Sequence, residues 1–301
     1  MNLPQPTSPL PAVVSPVDDV ATARPRRHAG RIAANVVLAL LGLQLIVFLV
    51  SNPRFEWSVV AEHLTLRAVL VGLSVSVVLT VVGMSLGTLV GTVLALLKLG
   101  SFRGGRLFAQ GYTWLFRGTP LLIQLLFWYN LAYLLPNLTL GIPFGPTLAS
   151  WDTNEVITPF IAAVLGLALN EAAYMAEIMR SGILSVDAGQ RDAARALGFT
   201  PFKTFWRIVF PQAMRIVLPP AGSQVIGMLK GTSLVSVIAM TDLLFSVQTI
   251  YNRNFKVVPL LLVAVIWYLA VFTLLSLLQA RLERHFSRGH AAQVSSAKAK
   301  P

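Results

Sequence analysis

The stretch Ala68–Leu97 contains no charged residue over 30 positions. As a helix rising 1.5 Å per residue it would be about 45 Å long, whereas the hydrocarbon core of a bilayer is about 30 Å thick. A run of that length is typical of a tilted transmembrane helix. The whole chain is 55% hydrophobic and 12% charged, and soluble domains carry roughly 25% charged residues. The sequence therefore predicts an all-α integral membrane protein.

Six apolar stretches are predicted to cross the membrane. They are Ile32–Val50, Ala68–Leu97, a third that follows Pro120 and ends at Leu135, Thr158–Met179, Pro219–Ala239 and Val257–Ala280. If the N-terminus is inside, eighteen of the 24 basic residues fall on the inner side, and only four fall outside: Arg54, Arg67, Arg253 and Lys256. The positive-inside rule therefore predicts both termini in the cytoplasm, in a multi-pass protein of the cell membrane. The same bias explains the net charge of +12 without a nucleic-acid partner.

The ends of the chain differ from its middle. Residues 1–30 contain six prolines and are predicted to be a disordered cytoplasmic tail, with no signal-peptide cleavage site. Residues 31–64 are predicted to form a first helix and an outer loop, residues 65–285 the main transmembrane domain, and residues 286–301 a basic cytoplasmic tail. The chain has no cysteine and its four histidines lie outside the spans, so no metal site is predicted within the membrane.

Small residues recur every four positions in the second span, at Gly83, Gly87, Gly91 and Ala95. This spacing puts them on one face of a helix, where a neighbouring helix can approach closely. The alternative is a chance pattern, because glycine is common in membrane helices. The sequence favours a packing face.

A polar, basic segment lies between the fourth and fifth spans and has the end signals of two short helices. Ser185 or Asp187 is suited to cap the first helix, and Gly198 to end it in a left-handed conformation. Thr200 and Pro201 are suited to begin the second helix, as its cap and first residue. The second helix is predicted to stop at the next proline, Pro211.

The first of these helices is predicted to carry a small apolar patch formed by Ala193, Ala194 and Leu197. Small side chains allow the groove of a partner protein to approach the backbone, which is the helix-in-groove mode of recognition. The alternative is an amphipathic hairpin that lies on lipid headgroups. The residue pattern alone leaves both interpretations open.

The spacing of this segment is similar to the cytoplasmic coupling motif of bacterial ABC-importer permeases. Asp192-Ala193-Ala194, three residues, Gly198, nine residues, Ile208, one residue and Phe210-Pro211 match that motif, with Asp in place of Glu and Phe in place of Leu. Further stretches resemble the polar-amino-acid branch of these permeases: Arg117–Gln124, Glu171–Gly182, Pro211–Arg215, Leu218–Pro220 and Leu229–Leu234.

The resemblance implies a permease fold over residues 65–285, with one added N-terminal helix, and a coupling module at residues 181–215. It implies that the module docks into a separate ATP-binding subunit through six residues: Asp192, Ala193, Ala194, Gly198, Ile208 and Pro211. It also implies a second permease subunit and an extracytoplasmic amino-acid-binding protein as partners. This chain has no phosphate-binding loop of the form Gly, four residues, Gly-Lys-Ser/Thr. It is therefore predicted not to be an enzyme or to hold a cofactor, and ATP and Mg²⁺ would be bound by the partner.

Two opposite charges, Glu171 and Lys230, fall near the middle of predicted spans. Such charges are costly in a membrane, so they usually pair or line a cavity. One hypothesis is a structural ion pair between the two helices. The other is a translocation path, in which the lysine meets the carboxylate of an amino acid and the glutamate meets its ammonium group.

Other residues of the matched stretches complete the candidate path. Arg117 is expected to anchor the third span at the membrane surface, and its place in the family motif suggests a gate or packing role as well. Thr119 and Tyr174 are added to the path on the basis of the resemblance. Glu177 is expected to pair with Arg180, three residues later on the same helix.

Two other function classes remain as alternatives. An ion-gradient-driven secondary transporter or channel would have more acidic residues in its spans and would not need a capped module on the inner face. An intramembrane enzyme is disfavoured because no histidine or cysteine lies within the spans.

Overall fold

The computed structural model describes residues 29–142 and 145–287, which are mostly helical. The helices, in chain order, are α1 Ala29–Ser51, α2 Trp57–Leu64, α3 Arg67–Leu99, α4 Arg103–Gly118, α5 Leu121–Tyr129, α6 Leu131–Leu134, α7 Thr153–Val156, α8 Pro159–Leu184, α9 Ala188–Ala196, α10 Pro201–Thr204, α11 Phe210–Gly231, α12 Leu243–Asn254 and α13 Val257–Ser287. The predicted tails fall outside the described residues except for Ala29 and Gly30, which begin α1 rather than end a disordered tail, and for residues 286 and 287 at the end of α13.

The prediction of an all-α fold needs one correction, because the segment between α6 and α7 forms a β-hairpin. Strands β1 Asn137–Gly141 and β2 Thr147–Asp152 pair antiparallel, with Asn137 opposite Asp152. Thr153 follows β2 and closes the hairpin base, since its hydroxyl donates to the Leu135 carbonyl. The segment is short and half polar, so its alternation was too weak to read as strands from the sequence.

Four described helices are long and apolar enough to cross a membrane: α1, α3, α8 and α13. The helical run Pro201–Ile238 and α12 meet this criterion only together, and they are bent by 46° at the break between them, which fits either one broken span or a re-entrant loop. The predicted third span is not one continuous helix. It is divided at Asn130, whose side-chain amide donates to the Leu126 carbonyl at 2.8 Å, and its pieces are α5 and α6.

The chain divides into two compact units, residues 1–55 and residues 56–301. The first unit contains α1, whose apolar side chains are exposed. In the second unit the main core joins α3, α5, α8, α11 and the 3₁₀ segment Thr232–Ile238, and includes Leu79, Leu125, Leu167 and Met228. A second cluster joins α2, α3, α12 and α13 around Val69, Leu243 and Leu260.

The prediction of a packing face on α3 is confirmed. Gly87 and Gly91 are buried against α8, and Ala95 is fully buried. A Cβ atom built on Gly91 would lie 2.7 Å from the Met175 Cβ and 2.8 Å from the Ala172 carbonyl oxygen. The glycines therefore let the two helices approach more closely than larger residues would allow.

We expect Gly91→Leu to destabilise the protein, because the added side chain would meet backbone atoms of α8 that cannot move cheaply. Overpacking of this kind costs about 1–3 kcal/mol, or roughly 2–10 °C in the unfolding midpoint of a domain this size. Thermal unfolding of the purified protein in detergent measures the shift. Gly111→Leu is the matched control, because a Cβ at Gly111 has no neighbour within 4 Å. Equal shifts in the two variants would contradict the packing argument.

The prediction that Pro211 ends the second short helix is wrong. The chain continues from α10 through a π-helical turn, Phe205–Val209, into α11 without interruption. The last wide turn is closed by the Phe210 amide, which bonds to the Phe205 carbonyl. A wide turn accommodates the proline ring and its missing N–H, which a regular helix would not. The second short helix is therefore continuous with α11.

Candidate functional site: the inter-span module and the embedded cavities

The helix ends of the module have the geometry that the sequence predicts. Asp187, rather than Ser185, caps α9 and accepts the Gly189 amide at 2.7 Å. Gly198 has a φ of +73° and ends the helix in the left-handed region. Thr200 caps α10 and accepts the Lys203 amide at 3.3 Å. These local bonds fix the turn between the two short helices.

The module is held against the ends of α8 and α11. Arg191 donates to the Ile183 carbonyl at 2.5 Å and to the Val186 carbonyl at 3.4 Å. Beneath it, Val186 packs in one cluster with Val209 and Ala213. These contacts connect α9 to the C-terminal end of α8 and to the start of α11.

The predicted apolar patch on α9 is corrected in one position. Ala193 and Leu197 are exposed and lie on one face, because residues four apart are neighbours on a helix. Ala194 is buried instead, since it lies about 100° around the helix from Ala193. Asp192 is exposed and pairs with Arg195 at 3.3 Å.

An aromatic stripe formed by Phe202, Trp206 and Phe210 lies along the second helix. Phe202 is 74% exposed and Trp206 is 49% exposed. The ring centroids of Trp206 and Phe210 lie 4.9 Å apart. Ile208 is half-buried and Pro211 is exposed beside the stripe. The spacing of four residues was the sequence signal that could have identified the stripe.

Glu171 lies on α8 and faces a cavity of about 210 Å³. Its side chain packs against Gly87 of α3, and its Oε1 atom is buried without a hydrogen-bond partner. Polar side chains of Asn170, Tyr174 and Gln224 also line this cavity. A buried, unsatisfied carboxylate oxygen is costly, so a donor from outside the chain would gain a strong bond here.

Arg117 and Tyr174 are brought together at a second cavity, of about 390 Å³. The Arg117 guanidinium lies 5.4 Å from the centroid of the Tyr174 ring. Tyr174 lines both this cavity and that of Glu171. The two cavities therefore adjoin, with a cation beside one and a carboxylate in the other.

Thr119 holds the break between α4 and α5 in place. Its hydroxyl donates to the Leu115 carbonyl at 2.8 Å and accepts from the Gln124 amide at 2.8 Å. Gln124 in turn accepts from Asn170 of α8 at 3.2 Å. No sequence pattern indicated a role for Gln124, although it is the last residue of the matched Arg117–Gln124 stretch.

The structural ion pair between Glu171 and Lys230 is not formed in the described chain. In the described part of the chain Lys230 forms no ion pair, and it lines a different cavity, with Ser233 and Tyr268. The reason is the direction of the side chain on α11. The cavity of Glu171 is lined by Gly227 and Gly231, whereas Lys230 points toward α13.

The predicted pair between Glu177 and Arg180 is confirmed, with Nε and Oε2 2.9 Å apart. The sequence did not indicate the second partner of Glu177. Lys98, at the end of α3, also pairs with this carboxylate and donates to the Thr113 hydroxyl at 2.6 Å. The cluster thus joins α3, α4 and α8 near the same end of the bundle as the module.

The fold and the site define a class. A helical protein with several membrane-length helices, a folded module between two spans and polar cavities beside them is a multi-pass transport component. The profile of the family described as "binding-protein-dependent transport system inner membrane component" matches residues 87–288. The chain belongs to this family, and it is a multi-pass protein of the cell membrane.

Named relatives and solved structures agree with this assignment. The chain is 40% identical over 275 residues to the arginine transport system permease protein ArgU of Corynebacterium glutamicum, covering 89% of this chain and 83% of that protein. It is 34% identical to the glutamate/aspartate import permease protein GltK of Escherichia coli O157:H7, over 77% of this chain and 98% of that protein. A crystal structure of an amino acid ABC transporter with histidines matches with a TM-score of 0.61 and 35% identity. The match covers 72% of this chain and 94% of that chain. The MetNI methionine ABC transporter matches at 15% identity with a TM-score of 0.58, which indicates the shared fold alone.

Proposed function

We propose that this chain is the permease subunit of an ATP-driven importer for polar amino acids, and that it forms the translocation path. The capped two-helix module carries this proposal, because a simple connection between two spans needs neither caps nor a half-buried anchor such as Arg191. The substrate class is supported by relatives named for arginine and for glutamate/aspartate transport.

The module at residues 181–215 docks into a groove of a separate ATP-binding subunit, which holds ATP and Mg²⁺. Asp192, Ala193 and Gly198 form the contact and its turn, and Ala194 fixes the helix from beneath. Ile208 and Pro211 connect it to the fifth span through the π-helical turn. When ATP closes the two ATPase subunits, the motion of the module would rock α8 and α11 between outward-open and inward-open arrangements.

The translocation path contains the adjoining cavities beside α8. Glu171 accepts the ammonium group or a basic side chain of the substrate, and Arg117 meets its carboxylate over the Tyr174 ring. Thr119 positions this region through Gln124. Lys230 serves the path from its separate cavity rather than as the partner of Glu171.

The complete importer contains a second permease subunit, two ATPase subunits and an extracytoplasmic amino-acid-binding protein. Residues 65–285 form the permease domain, and residues 31–64 add an N-terminal helix and outer loop to it. The chain crosses the membrane six times, and α5 with α6 forms the third, irregular crossing. Both termini are cytoplasmic, because this arrangement puts the basic residues inside.

Single-cysteine labelling in intact cells tests this topology, and the absence of native cysteines makes the test clean. Ser150 lies exposed in the hairpin and Gln190 lies exposed on α9. We expect a membrane-impermeant maleimide to label Ser150→Cys in intact cells and Gln190→Cys only after permeabilisation. The reverse pattern would overturn the topology and, with it, docking to a cytoplasmic ATPase.

A further inference from the structure

A long apolar groove lies between α11 and α13, away from the cavities of the proposed path. Its volume is about 590 Å³, and its lining is almost entirely apolar. Along α11 it extends from Met214 to Val225, which is about 16 Å at 1.5 Å per residue. That length corresponds to one leaflet, or about half of the 30 Å hydrocarbon core.

The floor of the groove is adaptable. Four of the seven methionines of the chain line it: Met84, Met175, Met179 and Met214. Methionine side chains are flexible and polarizable, and they are common where a surface must fit a ligand without a fixed shape. An acyl chain is a ligand of that kind.

One end of the groove lies beside a charged cavity of about 660 Å³. Leu218 and Glu283 line both spaces, so the two lie side by side. Arg215 and Arg284 line the charged cavity, and Glu283 accepts a hydrogen bond from Gln279 at 2.8 Å. With two cations and one anion, this end has a net positive charge.

The charged end lies where a headgroup would be. The apolar run of α13 ends there, and Arg281 is the first charged residue after it. Arg215 lies near the start of α11, as the last residue of the module. In the proposed topology this is the inner leaflet, where anionic lipids attract basic residues.

We propose that this groove binds an anionic phospholipid of the inner leaflet, with an acyl chain between α11 and α13 and the phosphate between Arg215 and Arg284. Guanidinium groups suit phosphate oxygens in geometry and charge. This inference depends on the proposed function in one respect: the proposed topology decides that the lipid comes from the inner leaflet. Because it borders α11, which continues into the module, a bound lipid would stabilise the link between module and span.

Native mass spectrometry of the full chain in detergent, with added phosphatidylglycerol or phosphatidylcholine, tests the site. We expect Arg215→Gln with Arg284→Gln to weaken phosphatidylglycerol binding about tenfold or more, because each basic residue contributes to attraction of an anionic headgroup. Phosphatidylcholine binding should weaken less, because its choline cation offsets the charge of the phosphate. Arg103→Gln with Arg106→Gln is the matched control, since neither residue lines the groove. Equal losses in the two double variants would overturn the headgroup site.

A groove-filling variant tests the acyl-chain half. We expect Ala221→Phe to weaken binding of both lipids alike, and Ser85→Phe, on the opposite wall, to do the same if Ala221→Phe does not fold. Unchanged binding of both lipids in a folded variant would overturn the proposal. If a groove-filling variant dissociates a permease dimer but keeps its lipid, the proposal is also overturned. A second protein chain, and not a lipid, would then occupy the groove. Lipid binding is read from the mass of the complex and transport from substrate uptake, so failure here is distinguishable from failure of the transport proposal.

Discussion

Glu171→Gln is expected to lower the apparent affinity for the transported amino acid at least about tenfold. The carboxylate has a buried oxygen without a partner, facing a polar cavity. A hydrogen bond to a charged group contributes about 1.5–3 kcal/mol, which corresponds to roughly 10- to 150-fold in binding. Glutamine keeps the shape of the side chain that packs against Gly87, so the fold should be retained.

The measurement is uptake of a labelled amino acid by proteoliposomes that contain the complete importer, over a range of substrate concentrations. Glu62→Gln is the control, because it removes the same charge from an exposed position on α2. Lys230→Met is the second comparison, because the Lys230 side chain lines a different cavity from that of Glu171. If Glu171→Gln has the wild-type affinity for the amino acid, Glu171 does not bind the substrate in the translocation path. Rescue of Glu171→Lys by Lys230→Glu would instead indicate an ion pair that forms in another conformation.

The features predicted correctly from the sequence depend on short-range geometry. Asp187, Gly198 and Thr200 lie at helix ends whose bonds join residues two or three apart. The packing face of α3 follows from small residues that recur every four positions. The pair of Glu177 with Arg180 follows from the pitch of a single helix. Such features require no knowledge of which helices are neighbours.

The features that the sequence did not reveal depend on tertiary contacts or on competing local rules. Lys98 lies 79 residues before its partner Glu177, so no local pattern connects them. Pro211 has the signal of a helix end, but a π-helical turn before it accommodates the ring. Lys230 and Glu171 have matching depths along their helices, yet rotation about the α11 axis directs the lysine to another cavity. Depth can be read from the sequence, whereas rotation is set by packing.

Gly198→Val is expected to uncouple ATP hydrolysis from transport. At a φ of +73°, a β-branched residue is strained by about 1–3 kcal/mol, although a Cβ there would meet no neighbouring atom. The strain would tilt α9 relative to α10. The exposed face of α9 that carries Ala193 and Leu197 would then no longer fit the groove of the ATPase. Membrane insertion should be retained, because the spans are unchanged. Gly198→Asn is the matched control, since asparagine tolerates the left-handed region.

The most direct test of ATP coupling through this module is the number of substrate molecules imported per ATP hydrolysed. It is measured in proteoliposomes that contain both permease subunits and the ATPase, with the binding protein added. We predict that Gly198→Val still assembles and hydrolyses ATP but imports at least about tenfold less substrate per ATP, while Gly198→Asn stays within about twofold of the wild type. A Gly198→Val importer with the wild-type ratio would contradict the account.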